Sequence, residues 1–196
     1  MGTETPAALL ESVAASHLSL PDGASVFLQG APAQQVYFLE SGHVRLLRHL
    51  EDGQLITLHT AGPGEFFAEG ALFTERYHCN AVTHGACGLR VLSKAVLLQR
   101  MAADASLSLL FLERVTRQLH RARTLAELRN IRSAQERTLQ HLRLSLPAGA
   151  SALTFAHPLL HVASELGLAH EVYYRCLANL AKAGVIEREG RTIRFL

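Results

Sequence analysis

The sequence has no apolar run that approaches the roughly 20 residues needed to span a bilayer. Its first residues, MGTETPAALL, contain no basic patch followed by a long apolar stretch, so they do not resemble a secretory leader. Gly2 follows methionine, but Pro6 stands where a myristoylation signal requires serine or threonine. We therefore expect a cytoplasmic protein that has no membrane partner.

Cysteine is also scarce, and its three positions, Cys79, Cys87 and Cys176, are too scattered for a disulfide framework. No CxxC pair indicates a structural zinc site. No cysteine cluster precedes the first predicted strands, which argues against an iron–sulfur sensor. We expect reduced thiols.

Enzyme motifs are missing as well. No HxH appears, and GPGEFF lacks the downstream histidine of a cupin metalloenzyme. His157 and His161 are four apart, but HPLLH lacks the glutamate of the HExxH metalloprotease motif. The sequence therefore predicts a protein that is not an enzyme.

Charge is present but unevenly distributed. The chain has 196 residues and a net charge of +2. Residues 1–112 hold 6 basic and 10 acidic side chains, whereas residues 113–196 hold 13 basic and 7 acidic ones. This asymmetry indicates that the C-terminal part meets a polyanion.

Residues 24–98 contain short apolar runs separated by turn residues, the pattern of an antiparallel barrel or sandwich. Glu51, Asp52 and Gly53 predict a hairpin. Before these strands, residues 6–18 predict a short helix.

Residues 104–129 contain no glycine or proline, and an apolar stripe recurs there at steps of three and four, which predicts a long helix. The stripe could pack on its own barrel, as its apolar start LSLLFL surely does. Further along, arginines cover the other faces, so a narrow seam facing a twin helix is the favoured interpretation. The predicted homodimer seam consists of Leu112, Val115, Leu119, Ala122 and Ala126.

The C-terminal third predicts a winged helix-turn-helix. Ser133 and Glu136 form a capping box for a helix that runs to about residue 145. After a short strand, LTF, a helix opens at His157 and Pro158 and stops at Gly167. A three-residue turn and a second helix, residues 170–183, follow. VIERE and RTIRFL then flank Gly190 as a two-stranded wing.

The second of these helices has the residues needed to recognise bases in the DNA major groove. Glu171 and Arg175 share one face; glutamate can accept from cytosine N4, and arginine can bind guanine O6 and N7. His170 and Tyr174 flank them. The alternative is an i,i+4 surface ion pair between Glu171 and Arg175. Within this turn and wing we favour base recognition.

The sequence resembles the catabolite activator and fumarate-nitrate regulator (Crp/Fnr) family of bacterial transcription factors in the order of its segments. These are SVFLQG, VYFLESGHVRLL, EDGQLITL, GPGEFFAEGALF, the long helix and LGLAHEVYYRCL. The resemblance covers nearly the whole chain. It implies an α+β protein with a sensory β-roll over residues 1–103, a dimerisation helix over 104–130 and a winged helix-turn-helix over 131–196. It also makes RNA polymerase a candidate partner.

The family's recognition-helix glutamate falls on Glu171 and its second arginine on Arg175. Ala169, His170, Val172 and Tyr174 depart from the family pattern, so the operator sequence does not follow from the resemblance.

The resemblance also implies an effector site around EGALFTERYHCNA, residues 69–81. Relatives that bind cyclic AMP use a glutamate on the ribose and an arginine followed by serine or threonine on the phosphate. Glu69 matches the glutamate, but Cys79 and Asn80 occupy the clamp positions, so we predict that cyclic AMP is not the effector. The candidate effector residues are Glu69, Gly70, Ala71, Arg76, Cys79 and Asn80.

Haem is the remaining cofactor considered. Tyr77, His78 and Cys79 include two haem-ligating residue types. Successive strand residues point to opposite faces, so these three side chains cannot all line one pocket. The sequence predicts no metal site and leaves the cofactor and effector unidentified. The alternative function is a regulatory module that binds a ligand or haem and whose helix-turn-helix contacts protein rather than DNA.

Overall fold

The computed structural model describes residues 10–11, 13–155 and 158–196. Alternating apolar residues place six strands in one antiparallel sheet that curls into a roll. The strands are β1 Ala14–Leu20, β2 Ser25–Phe27, β3 Gln35–His49, β4 Leu55–Ala61, β5 Phe66–Phe67 and β6 Asn80–Ser93.

The sheet order is β1-β6-β3-β4, with β2 paired to β6 and β5 paired to β3. The predicted hairpin at residues 51–53 is confirmed. Gly53 has φ 83°, a left-handed conformation that favours glycine, and Asp52 accepts a hydrogen bond from the Gln54 amide at 2.9 Å.

The helix predicted over residues 6–18 is wrong from Ala14 onward, because Ala14–Leu20 is a strand. Its edge is paired with β6 from Ala14 to Leu20, so sheet pairing overrides local helix propensity. Residues 6–9 and 12 of that prediction lie outside the described residues.

Two helices follow the roll. Helix α1, Lys94–Ala103, was not predicted, and α2, Ala105–Asn130, matches the expected long helix within one residue at its start. Asp104 separates them because its carboxylate accepts from the amides of Ser106 and Leu107, at 2.9 and 3.3 Å, and so begins α2.

The chain divides into two compact units, residues 1–119 and 120–196, so the division falls within α2. The core of the first unit is enclosed by the roll, α1 and the start of α2, where Leu107 and Phe111 are buried.

The second unit contains the predicted winged helix-turn-helix arrangement. Its elements are α3 Ala134–Ser145, β7 Ala152–Thr154, α4 Leu159–Glu165, α5 His170–Lys182, β8 Ile186–Glu189 and β9 Thr192–Phe195. The wing sheet has three strands in the order β7-β9-β8. The sequence predicted β7 but not its pairing with β9.

The Ser133 half of the predicted capping box is confirmed, since Ser133 Oγ accepts from the Glu136 amide at 3.2 Å. The Glu136 carboxylate accepts from the Gln140 side chain at 2.7 Å. Helix α4 begins at Leu159 with Pro158 as its N-cap, and the His157 part of that prediction lies outside the described residues.

In the described part of the chain, no single helix is long and apolar enough to cross a membrane. Helices α1 and α2 pass that test of length and composition only when counted together, and they are bent by 117° at their break.

Candidate functional site

The predicted effector loop surrounds a small cavity in the roll. Glu69 begins a short 3-10 helix, Glu69–Phe73, after Ala68, which adopts the left-handed conformation with φ 59°. The cavity beside this helix has a volume of about 40 Å³. Ligand sites commonly measure roughly 300 to 1,000 Å³, so this space is too small for a nucleotide.

Aromatic side chains fill the rest of the space. The rings of Phe27 and Tyr77 stack with centroids 3.9 Å apart, and those of Tyr37 and Phe67 with centroids 5.1 Å apart. The Tyr77 hydroxyl donates to the Gln35 carbonyl at 2.9 Å, which fixes the ring. Burial, with Tyr77 close by, raises the pKa of the Tyr37 phenol above its usual value.

The six candidate effector residues do not converge on one point. Glu69, Ala71 and Cys79 line the cavity, and Gly70 lies against the His78 ring, whose carbon would be 3.9 Å from an added Cβ. Arg76 donates to the Gly30 carbonyl at 2.6 Å, and the Asn80 side chain accepts from the Gln29 amide at 2.8 Å. These two side chains hold a neighbouring loop.

A guanidinium that the sequence did not single out lies close to the same loop. Arg48, on β3, donates to the His78 carbonyl at 3.2 Å, and its charge acts on the Cys79 thiol. Only the fold shows this, because Arg48 is 30 residues before His78 and belongs to no recognisable motif.

Tyr77, His78 and Cys79 all line the cavity, so the prediction that they cannot share one pocket is wrong. That prediction assumed a strand, whereas β6 begins only at Asn80 and these residues form an irregular segment. Burial raises the pKa of the Cys79 thiol to about 11, which disfavours the thiolate that ligates iron. No group of three or more histidine, cysteine or acidic residues in the described ranges could hold a metal ion.

Helix α5 separates buried from exposed residues cleanly. Its inner side chains, Tyr173, Cys176, Leu177 and Leu180, are buried in the core of the second unit. Its outer face contains the four predicted DNA-binding residues, His170, Glu171, Tyr174 and Arg175, all exposed. The structure therefore brings these four side chains to one solvent-facing surface.

The outer face makes few contacts with the protein itself. His170 Nε2 lies 3.3 Å from Glu171 Oε1, and the Arg188 guanidinium lies over the Tyr174 ring at 5.2 Å. No ion pair joins Glu171 to Arg175 within the described residues, so the i,i+4 pair considered from the sequence does not form.

Three arginines hold the first helix of the motif. The Arg121 side chain contacts both carboxylate oxygens of the buried Glu165, at 3.0 and 3.2 Å. Arg129 donates to the Glu165 carbonyl at 2.9 Å, and Arg137 donates to the Leu166 carbonyl at 2.9 Å. These bonds satisfy carbonyls at the end of α4 and fix it against α2 and α3.

The predicted seam residues differ in exposure. Leu112 and Leu119 are 59% and 49% exposed, and Ala122 and Ala126 are also exposed. Val115 is half-buried and packs against the core of the roll, so it faces its own unit as well.

Comparisons with known proteins agree with this architecture. Residues 17–104 match the family model of the cyclic nucleotide-binding domain. The chain is 27% identical over 184 residues to the CRP-like cAMP-activated global transcriptional regulator of Mycobacterium tuberculosis, covering 90% of this chain and 82% of that protein. A further match, 42% identical over 57 residues, is to the transcriptional regulator LdrP of Thermus thermophilus, and it spans 29% of each protein.

The fold is also similar to that of FixK2 from Bradyrhizobium japonicum, with a TM-score of 0.72, 21% identity and coverage of 92% and 91% of the two chains. The roll, the winged helix-turn-helix and the sequence matches together support a transcriptional regulator of the Crp/Fnr type.

Proposed function

We propose that this protein is a homodimeric transcription regulator that recognises an inverted-repeat DNA operator with helix α5. The observation on which this rests is the outer face of α5, where Glu171 and Arg175 are exposed and not paired with each other. Arginine bound to guanine and glutamate bound to cytosine are direct forms of base recognition in the major groove.

The charge of the second unit supports the same proposal. Basic side chains are concentrated after residue 112, and the wing adds Arg188, Arg191 and Arg194. Basic residues beside a recognition helix neutralise phosphates, which raises affinity without selecting a sequence. Specificity then comes from α5 and most of the affinity from the surrounding arginines.

Dimerisation follows from the exposed side of α2. Leu112 and Leu119 lie two helical turns apart on one stripe, and Ala122 and Ala126 continue it with small side chains. A second copy of α2 packed along this stripe would bury it. A two-fold dimer then presents two copies of α5 about 34 Å apart, one turn of DNA.

The signal at the roll is a chemical species other than cyclic AMP. The phosphate clamp is replaced by Cys79 and Asn80, the Asn80 side chain is bonded to Gln29, and stacked rings fill the space that a nucleotide would need. The M. tuberculosis relative is described as activated by cyclic AMP. This chain is 27% identical to that protein but lacks the two clamp side chains for that ligand.

Selection from a random duplex pool tests the proposal. The wild-type dimer should enrich a palindrome, and Arg175→Ala should lose preference at a guanine in each half-site. The matched control is Arg194→Ala, which removes an exposed wing arginine and should weaken binding to all sequences equally. If no palindrome is enriched under any effector or redox condition tried, the helix-turn-helix does not recognise DNA and a protein partner is the better assignment.

A further inference from the structure

An arginine of the wing lies over an aromatic ring of the recognition helix, and the two residues are 14 positions apart in the chain. The Arg188 guanidinium carbon lies 5.2 Å from the centroid of the Tyr174 ring. Arg188 belongs to β8 and Tyr174 to α5. The planar cation therefore covers a ring that is itself on the proposed DNA-facing surface.

The register of the wing explains why Arg188 meets the helix. Arg188 pairs with Ile193 across the β8–β9 ladder, and directly paired residues project from the same face of a sheet. Ile193 is fully buried in the core of the second unit. Arg188 thus shares the face that packs on the helices, whereas Arg194, paired with Glu187, projects from the other face.

Neighbouring rings restrict Tyr174 on its other sides. His170 and Tyr173 both meet it edge to face, with centroids 6.5 and 6.4 Å away. The ring nevertheless stays 39% exposed, so a part of it faces solvent beside Arg175. A tyrosine has few rotatable bonds, and these contacts restrict the orientation of its ring.

We propose that Arg188 is a positioning residue for DNA sequence recognition, and that it holds the Tyr174 ring against the methyl group of a thymine in the major groove. The proposal rests on the proposed function of α5. An apolar side-chain surface against the C5-methyl group is a recognised way to select thymine. Arg188 acts through the tyrosine and not through a base of its own.

Arginine is the residue suited to this role, because its planar guanidinium stacks on a ring while the compact ammonium of lysine does so less well. Arg188→Lys therefore keeps the positive charge that can contact DNA phosphates and removes most of the stacking on the Tyr174 ring. Arg194→Lys makes the same exchange on the opposite face of the wing and is the matched control.

The experiment measures affinity for the operator selected by the wild-type protein, with thymine or deoxyuridine at each thymine position in turn. At one position per half-site, loss of the methyl group should weaken wild-type binding by about two- to fivefold. Tyr174→Ala and Arg188→Lys should abolish that difference, and the double variant should behave like Tyr174→Ala alone. Tyr174→Phe and Arg194→Lys should retain it.

The salt dependence of binding separates positioning from simple charge. It should be the same for wild type, Arg188→Lys and Arg194→Lys, because each keeps the number of cations constant. The inference is overturned if Arg188→Lys discriminates thymine from deoxyuridine as the wild type does. If the wild type enriches no site at all, the proposed function fails first, and this outcome is distinguishable from failure of the Arg188 role.

Discussion

The effector loop of the roll and the outer face of α5 use similar residue types in opposite ways. In the loop, Arg76 donates to the Gly30 carbonyl and Asn80 accepts from the Gln29 amide, so each side chain has a partner within the protein. On α5, Arg175 and Glu171 are exposed and not joined to each other. One region is closed on itself, and the other faces outward.

This difference shows that some surfaces are retained whenever the fold is retained, whereas a ligand site also requires particular side chains. A helix-turn-helix places the outer side of its second helix at the surface wherever its inner side is buried, so that surface is retained with the fold. A nucleotide site depends on particular side chains and on free volume, and both can be lost while the strands remain. Likeness to a cyclic nucleotide-binding domain therefore does not by itself establish the ligand.

The largest expected effect concerns the outward-facing stripe of α2. Leu119→Arg would place two like charges, one from each copy, at the proposed seam, at a cost of several kcal/mol per buried ion. Light scattering should show a dimer for the wild type and a monomer for the variant. Leu144→Arg, which changes a leucine that is 62% exposed on α3, is the control and should remain dimeric. A wild-type monomer at micromolar concentration would show that these residues do not form a dimer seam.

A substitution in the core of the roll tests whether the side chains around the effector loop are packed as described. Phe27→Ala removes the ring that stacks on Tyr77, and it should lower the free energy of unfolding by about 3 to 5 kcal/mol. Chemical denaturation measures this. Phe73→Ala, at a ring that is 85% exposed, should change it by less than about 0.5 kcal/mol. Equal effects of the two substitutions would show that the loop is not packed as described.

Glu171→Ala probes the outward face at a single base pair. The loss of a carboxylate that accepts from cytosine should reduce discrimination there by about 1 to 3 kcal/mol per half-site and leave folding stability unchanged. Competition between operators that differ at that pair provides the measurement. Glu187→Ala, on the wing, is the control that should keep discrimination intact. A uniform loss of affinity for every sequence would contradict a base-specific role.

The smallest expected signal belongs to cyclic AMP. At millimolar ligand the unmodified protein should give no saturable heat in calorimetry, because the clamp is missing and the cavity measures about 40 Å³. The double variant Cys79→Arg, Asn80→Ser restores the clamp residues and should bind only weakly, since the stacked rings remain. Tight binding by the unmodified protein would show that the loop opens and that the two regions differ less than the structure indicates.

Much of the architecture was predictable because it depends on periodicity and on turn residues. The β3–β4 hairpin, the long helix α2, the Ser133 cap and the helix-turn-helix each have a local signal. The strand at Ala14–Leu20 does not, because its conformation comes from pairing with β6, some 70 residues later. The error at Tyr77–Cys79 arose in the same way, from assuming regular alternation in an irregular segment.

Contacts between distant residues could not be predicted from sequence at all. Arg48 near Cys79, Arg121 on Glu165 and Arg188 over Tyr174 join positions that no motif connects. The sequence indicated the type of each residue and the element it belongs to. Only the three-dimensional arrangement shows which side chains are occupied within the protein and which remain for a partner.

The most direct test of the central claim is the affinity of wild type and Arg175→Ala for the selected palindrome, titrated at two salt concentrations. We predict that the substitution costs about 1 to 3 kcal/mol per half-site at a guanine-containing step, and that this cost disappears when the guanine is replaced. Wild-type affinity should also fall steeply as salt rises. If Arg175→Ala binds the palindrome as tightly as wild type at both salt concentrations, α5 does not recognise the operator and the account of its outer face is wrong.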